Sequence, residues 1–205
     1  MRKFQSGQIP KPRVELPTEF QKVRTTFWNL DIEVGCGVGL HAVEYCLKNP
    51  KRRLIAIDRS AMRMAKMAAR IQEHGRVPNL IPIRENAIWF LTHEIPESCV
   101  ENYFFLYPNP YPKKKQSNMR WHNMPFMQHV LSTLKEKGKI HIATNMEYYA
   151  EEAEEKMVHE WGLKLLKKEV YSSLQEIPFE PRTHFEKKYL ERFETCWNLV
   201  FEKIK

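Results

Sequence analysis

Cysteine is sparse and unpaired in this chain. Cys36, Cys46, Cys99 and Cys196 show no C-x-x-C spacing, and the eight histidines form neither H-E-x-x-H nor a Cys/His cluster. Neither a disulfide framework nor a zinc or other metal site is suggested. Long apolar runs are missing as well: no stretch approaches the roughly 18 uninterrupted apolar residues of a membrane span. The opening Met1-Arg2-Lys3-Phe4 starts no signal-peptide core. The expectation is a soluble, cytoplasmic protein with no membrane contact. Nothing reads as a linker long enough to separate two domains, so residues 28–205 are expected to form a single domain. Before it, residues 1–27 carry Pro10, Pro12 and Pro17 with mixed charge and little periodicity, which predicts an extended arm. Lys11 and Arg13 in that arm are either phosphate contacts or part of a plain tail.

Glycine is also scarce, and its distribution is therefore informative: three of the seven fall within Asp31-Ile-Glu-Val-Gly-Cys-Gly-Val-Gly39. An apolar run carrying Glu33 enters a turn with Gly35, Gly37 and Gly39 at alternate positions, and a helical segment follows from Leu40 to Leu47. Glycines there let the backbone adopt positive φ and approach a ligand closely. The next apolar run, Arg53-Leu-Ile-Ala-Ile, ends on Asp58, a carboxylate suited to the paired hydroxyls of a ribose. The G-x-G-x-G spacing differs from the dinucleotide form G-x-G-x-x-G and favours S-adenosylmethionine over NAD.

Positive charge is in excess. Net charge is +8, concentrated in Lys51-Arg52-Arg53, Lys113-Lys114-Lys115, Lys167-Lys168 and Lys187-Lys188. A basic surface of this kind attracts polyanions, RNA or DNA foremost; each run alone also fits a solvated face.

From Leu30 onward apolar runs alternate with helical patterns, the signature of a parallel sheet with helices on both faces. Strands are expected at 30–34, 53–57, 80–83, 103–107 and 139–145, with two late antiparallel strands at 163–171 and 194–203. Ser60 reads as the N-cap of a helix reaching about His74, with Met64, Met67, Ala68 and Ile71 toward the sheet. Further helices are expected over 125–134 and 146–161, the second burying Tyr149, Ala153, Met157 and Trp161. Asn86, just past the third strand, is either a helix cap or an amide for an adenine edge, with Ala87 and Ile88 against the base. Tyr107-Pro-Asn-Pro-Tyr-Pro-Lys113 is a proline-restricted loop at the fourth strand tip, able to hold a planar base. Residues 172–193 are expected to be a loop reaching back across the same edge.

Four of these stretches, in this order, resemble the tRNA (guanine-N7)-methyltransferase family: Glu33 to Gly39 with Asp58, Tyr107 to Gln116, Thr144-Asn145, and Thr183-His184-Phe185-Glu186. The resemblance implies a Rossmann-like class I methyltransferase fold, a mostly parallel seven-stranded sheet with an antiparallel edge. It also implies that Glu33, the glycine turn, Asp58, Asn86 and Ala87 bind S-adenosylmethionine. Lys113, Asn145, Thr183 and Glu186 would surround a guanine in the variable loop of tRNA, with Asn109 in the catalytic position. Asn109 and Asn145 stand where that family has aspartates, and Tyr111, Gln116 and His184 also depart from its pattern. Three activities stay open: guanine-N7 transfer, amino-methyl transfer by an N-P-Y-P loop, and binding without catalysis. Monomer and homodimer are both compatible with the sequence.

Overall fold

The computed structural model describes residues 3–12, 15–23 and 28–204; Arg13 lies outside the described residues. Five apolar runs form β1 (Leu30–Val34), β2 (Arg53–Ile57), β3 (Leu80–Ile83), β4 (Val100–Leu106) and β5 (Leu134–Thr144), paired in parallel in the order β3-β2-β1-β4-β5. β6 (Leu163–Tyr171) and β7 (Cys196–Lys203) complete a seven-stranded sheet as its antiparallel edge, with β7 inserted between β5 and β6. Around the sheet are α1 (Thr18–Val23), α2 (Leu40–Lys48), α3 (Ala61–Glu73), α4 (Ala87–Glu94), α5 (Met127–Thr133), α6 (Glu147–Glu155) and α7 (His184–Glu191). The expected mixed, mostly parallel fold is therefore the one observed.

Strand residues point alternately to the two faces, and β2 shows the result. Ile55 and Ile57 join one buried cluster with Ile32, Phe90, Phe105 and Phe201, while Leu54 and Ala56 join another with Val43, Met67 and Phe104. Both faces are covered, as a parallel sheet requires. The N-terminal segment adds to the first cluster: Phe20 of α1 is fully buried with its ring centroid 5.1 Å from that of Phe90, and Phe4 packs edge-on against Phe126 at 5.3 Å.

The observed elements differ from the expected ones where polar residues are paired. β4 begins at Val100 rather than Tyr103, because Glu101 and Asn102 are engaged at its start: Glu101 pairs with Arg52 and Lys135, and Asn102 donates to Asp31. The helix after β5 ends its α-turns at Glu155 and continues as a π-helical turn over Lys156–Glu160. Along it Tyr149, Ala153 and Met157 are buried as expected, whereas Trp161 is only partly so. In α3 only Met67 is fully buried; Met64 and Ile71 are half-buried and Ala68, expected to face the sheet, is exposed. The 172–193 segment is not all loop, since it contains α7.

The parallel strands all end at one edge, which receives the glycine turn, Asp58, Tyr107 and Asn145 from β1, β2, β4 and β5. Open α/β sheets bind ligands at that edge. The opposite edge is closed by a buried carboxylate. Asp31 is 0% exposed and accepts from Arg52 Nε and Nη2 at 2.5 Å each, from Tyr45 Oη at 2.7 Å and from Asn102 Nδ2 at 2.7 Å.

Removing that charge breaks a buried ion pair at the end of β1 away from the ligand edge. Asp31→Asn is expected to cost about 3 kcal/mol, read as a lower midpoint in urea unfolding at unchanged slope. Acid should also destabilise the fold. Burial first, then Arg182, His41 and Lys139, push His141 down to about 3. A histidine depressed in the folded state favours folding above its unfolded value of about 6.5, and that contribution is lost as pH falls toward 3. The urea midpoint should drop across this window, and His141→Gln should flatten the drop; an unchanged slope would remove His141 as its source.

Candidate active site

The cofactor side is built from backbone. Gly35 and Cys36 N–H donate to Ile57 O at 2.8 and 3.1 Å, so the turn after β1 is stitched to the end of β2. Gly37 and Gly39 have φ of 60° and 77°. A Cβ on Gly39 would lie 2.4 Å from Met67 Cγ, whereas one on Gly37 or Gly35 would meet no protein atom within 4 Å. Gly39 is thus required by α3, and the space over Gly35 and Gly37 is open to a ligand. Asp58 stands beside that space. Its Oδ2 accepts from Gly37 N–H and Arg63 Nη1 at 3.1 Å each, and its Oδ1 accepts from Ser60 N–H at 2.8 Å, with capacity for a ribose hydroxyl.

Glu33 lies beneath the turn, 3% exposed, with Oε2 3.0 Å from His41 Nδ1. Asn86 caps α4, its Oδ1 accepting from Ile88 N–H at 2.9 Å. The cap uses the side-chain oxygen alone, so it is compatible with the amide N–H group facing an adenine edge; Ala87 and Ile88 follow it, both half-buried. The open turn, the Asp58 carboxylate and this apolar shelf fit a nucleoside-bearing cofactor such as S-adenosylmethionine.

The proline-loop side of the edge is built from side chains. Tyr107 and Tyr111, with φ of 50° and 46°, flank the proline loop in a conformation L-residues rarely hold, so other groups must fix it. Arg120 is the chief of these. Its Nε and Nη2 donate to Tyr111 O at 3.3 and 2.9 Å, Nε also reaches Pro110 O at 3.2 Å, and Nη1 donates to Glu152 at 2.5 Å. Tyr148 Oη donates to Pro110 O at 3.2 Å. Burial opposes ionisation of Glu152, but bonds from His122 and Arg120 hold its carboxyl below the ordinary range. Arg120 is thus a buried clamp on the loop. Asn109 is exposed, and its Oδ1 accepts from Tyr111 N–H at 3.3 Å, closing an Asx turn within the loop. Lys113, Lys114 and Lys115 beyond it are exposed.

Thr183 and Glu186 are not loop residues. Thr183 is the N-cap of α7, its Oγ1 accepting from Glu186 N–H at 3.0 Å, so Thr-x-x-Glu here is a helix start of the capping-box type. Glu186 is 1% exposed and both its oxygens are engaged. Arg182 donates from its backbone N–H at 2.6 Å, from Nε at 3.1 Å and from Nη2 at 2.5 Å, and Tyr107 Oη donates at 3.1 Å. Burial and the Glu186 charge hold the Tyr107 phenol well above its usual value. Asn145, half-buried past the β5 tip, donates from Nδ2 to Glu194 Oε2 at 3.4 Å. Glu194 has no motif signal in the sequence; only the return of β7 to β5 brings it here.

A sequence model of the family described as "Putative methyltransferase" matches residues 29–199. The chain belongs to this methyltransferase family. Relatives at the sequence level agree with the motif resemblance. A tRNA (guanine-N(7)-)-methyltransferase of Chromohalobacter salexigens is 29% identical, over 84% of this chain and 70% of its own length. One from Salmonella choleraesuis is 28% identical over 93% and 79%. Among solved structures, the fold matches a 16S rRNA (adenine(1408)-N(1))-methyltransferase of Catenulisporales acidiphilia, crystallised with its cosubstrate SAM. That match has a TM-score of 0.63 at 15% identity and covers 94% of this chain and 93% of the other. It also matches the 16S rRNA methyltransferase KamB, with a TM-score of 0.60 at 20% identity, covering 93% and 95%.

The glycines of this methyltransferase separate by test. Gly37→Ala should cost about 1 kcal/mol of backbone strain and mainly weaken S-adenosylmethionine binding. Gly39→Ala should lose more stability, because Met67 has to move. Thermal unfolding with and without the cofactor distinguishes the two; equal behaviour would contradict the separate roles.

Proposed function

We propose that the protein transfers a methyl group from S-adenosylmethionine to N7 of a guanine in the variable loop of tRNA. One observation carries this most: Tyr107 Oη donates to Glu186 at 3.1 Å. That bond joins the proline loop to the Thr-x-x-Glu helix, the two stretches that mark the tRNA (guanine-N7)-methyltransferase resemblance. The curated relatives named for that activity support it.

When bound, S-adenosylmethionine supplies a methyl on a sulfonium: the guanine N7 lone pair forms the new C–N bond, the C–S electron pair goes to sulfur, and positive charge passes to the purine. N7 has a free in-plane lone pair, so no base is needed and positioning carries much of the rate. Asp58 would hold the ribose of the cofactor, Asn86, Ala87 and Ile88 its adenine, and Glu33 with the turn from Gly35 to Gly39 the rest of the molecule. The clamped proline loop and Thr183 frame the guanine, and Glu186 holds Tyr107 and α7 together. Lys113, with the exposed run through Lys115, meets RNA phosphate.

The amino-methyltransferase alternative needs the Asn109 side-chain oxygen and a proline carbonyl to hold an exocyclic amine. Asn109 Oδ1 already accepts from Tyr111 N–H, and Pro110 O from both Arg120 and Tyr148. These bonds favour the guanine reading.

Incubation with labelled S-adenosylmethionine and unmodified tRNA, followed by nucleoside digestion, is expected to yield 7-methylguanosine. N6-methyladenosine would favour the alternative. Measurable cofactor binding with no label in the RNA would mean that catalysis has lapsed.

A further inference from the structure

We propose that Glu194 supplies the negative charge that faces the methylated guanine. This rests on the guanine-N7 reading and goes beyond it. As positive charge moves onto the purine, fixed negative charge nearby stabilises the transition state. Asn109 and Asn145 carry none. Glu186 has its charge matched by Arg182 and its oxygens filled by four donor bonds, and it is closed off from solvent. Glu194 is the carboxylate found beside Asn145: Oε2 is 3.4 Å from Asn145 Nδ2, and its side chain is 41% exposed. Its charged neighbour Arg192 stands 4.0 Å from Oε1, and that guanidinium is itself well exposed. The pair is therefore solvent-screened, and the Glu194 charge remains available.

The backbone shows that this position is built. α7 ends in a complete Schellman turn, with Phe193 N–H on Leu190 O at 3.1 Å and Glu194 N–H on Tyr189 O at 3.0 Å. The left-handed residue of such a turn is ordinarily glycine. Here it is Phe193, with φ of 57° and 75% exposure, so its side chain gains little burial in return for the strain. What the turn does is bring Glu194 back toward the β5 tip while Tyr189, at its start, packs against Tyr107 with ring centroids 5.7 Å apart. Glu194 thereby joins the tips of β4 and β5 at the guanine position.

Two measurements test the assignment separately from the overall function. In methyl transfer at saturating cofactor and tRNA, Glu194→Gln should lower kcat on the order of 10-fold, less than the loss from a fully enclosed electrostatic partner. KM for tRNA should change little, and Glu194→Asp should restore part of the rate. In equilibrium binding under mildly acidic conditions, the wild-type protein should bind an RNA hairpin carrying cationic 7-methylguanosine more tightly than the same hairpin with guanosine. Glu194→Gln should erase that preference without weakening binding of the unmodified hairpin. The preference can be read even if the wild-type protein transfers no methyl group, an outcome that would overturn the proposed function alone. An equal preference in wild type and Glu194→Gln, or no preference in either, would overturn the role of Glu194.

Discussion

Two acidic residues on one face of β1 set the position of everything at the ligand edge. Asp31 and Glu33 are two residues apart on the strand, about 6.7 Å, and their partners Tyr45 and His41 are four apart on α2, about 6 Å along the helix. The repeats nearly match, so the antiparallel helix is zipped to the strand by Asp31 with Tyr45 and Glu33 with His41. Neither carboxylate has water to fall back on, so a slip of α2 by one turn would leave both short of partners. The helix start is thereby fixed, and with it the turn from Gly35 to Gly39. Arg52 and Asn102 extend the same constraint from Asp31 to β2 and β4.

The two sides of the site are held by different means. Around the glycine turn, backbone amides and the Asp58 carboxylate predominate, and side chains matter mostly by being absent. At the proline loop, a clamp from Arg120 through Glu152 to His122 holds the backbone, and the Arg182–Glu186 pair holds the start of α7. The charges nearest the loop are thus largely spent on structure. A loop with residues at positive φ on either side needs such support, because its own backbone favours other conformations.

This division also explains what was legible in the sequence. Glycine spacing and the ends of apolar runs are local signals, and they locate β1, β2, β3 and, at the strand ends, the glycine turn and Asp58. The start of β4 was hidden because Glu101 and Asn102 interrupt its apolar pattern, and their partners lie on other elements. α7 was hidden by Pro178, Pro181 and a polar stretch, although Thr183-x-x-Glu186 is itself a helix-start signal. The role of Arg120 has no local signal, because its targets, Pro110 O and Tyr111 O, are brought within reach only once the loop is shaped. Asn86 suited a cap and a ligand equally well in sequence, and its bond to Ile88 was decided by the helix that follows.

The position of β7 ties completion of the sheet to completion of the site. β6 pairs with the sheet only through β7, and β7 reaches β5 only after the chain has passed through α7 and its C-terminal turn. The pairing that covers the open side of β5 is the same event that brings Glu194 to Asn145 and Glu186 to Tyr107. One strand therefore serves two ends at once, since the pairing that closes the sheet also anchors the chain on either side of α7.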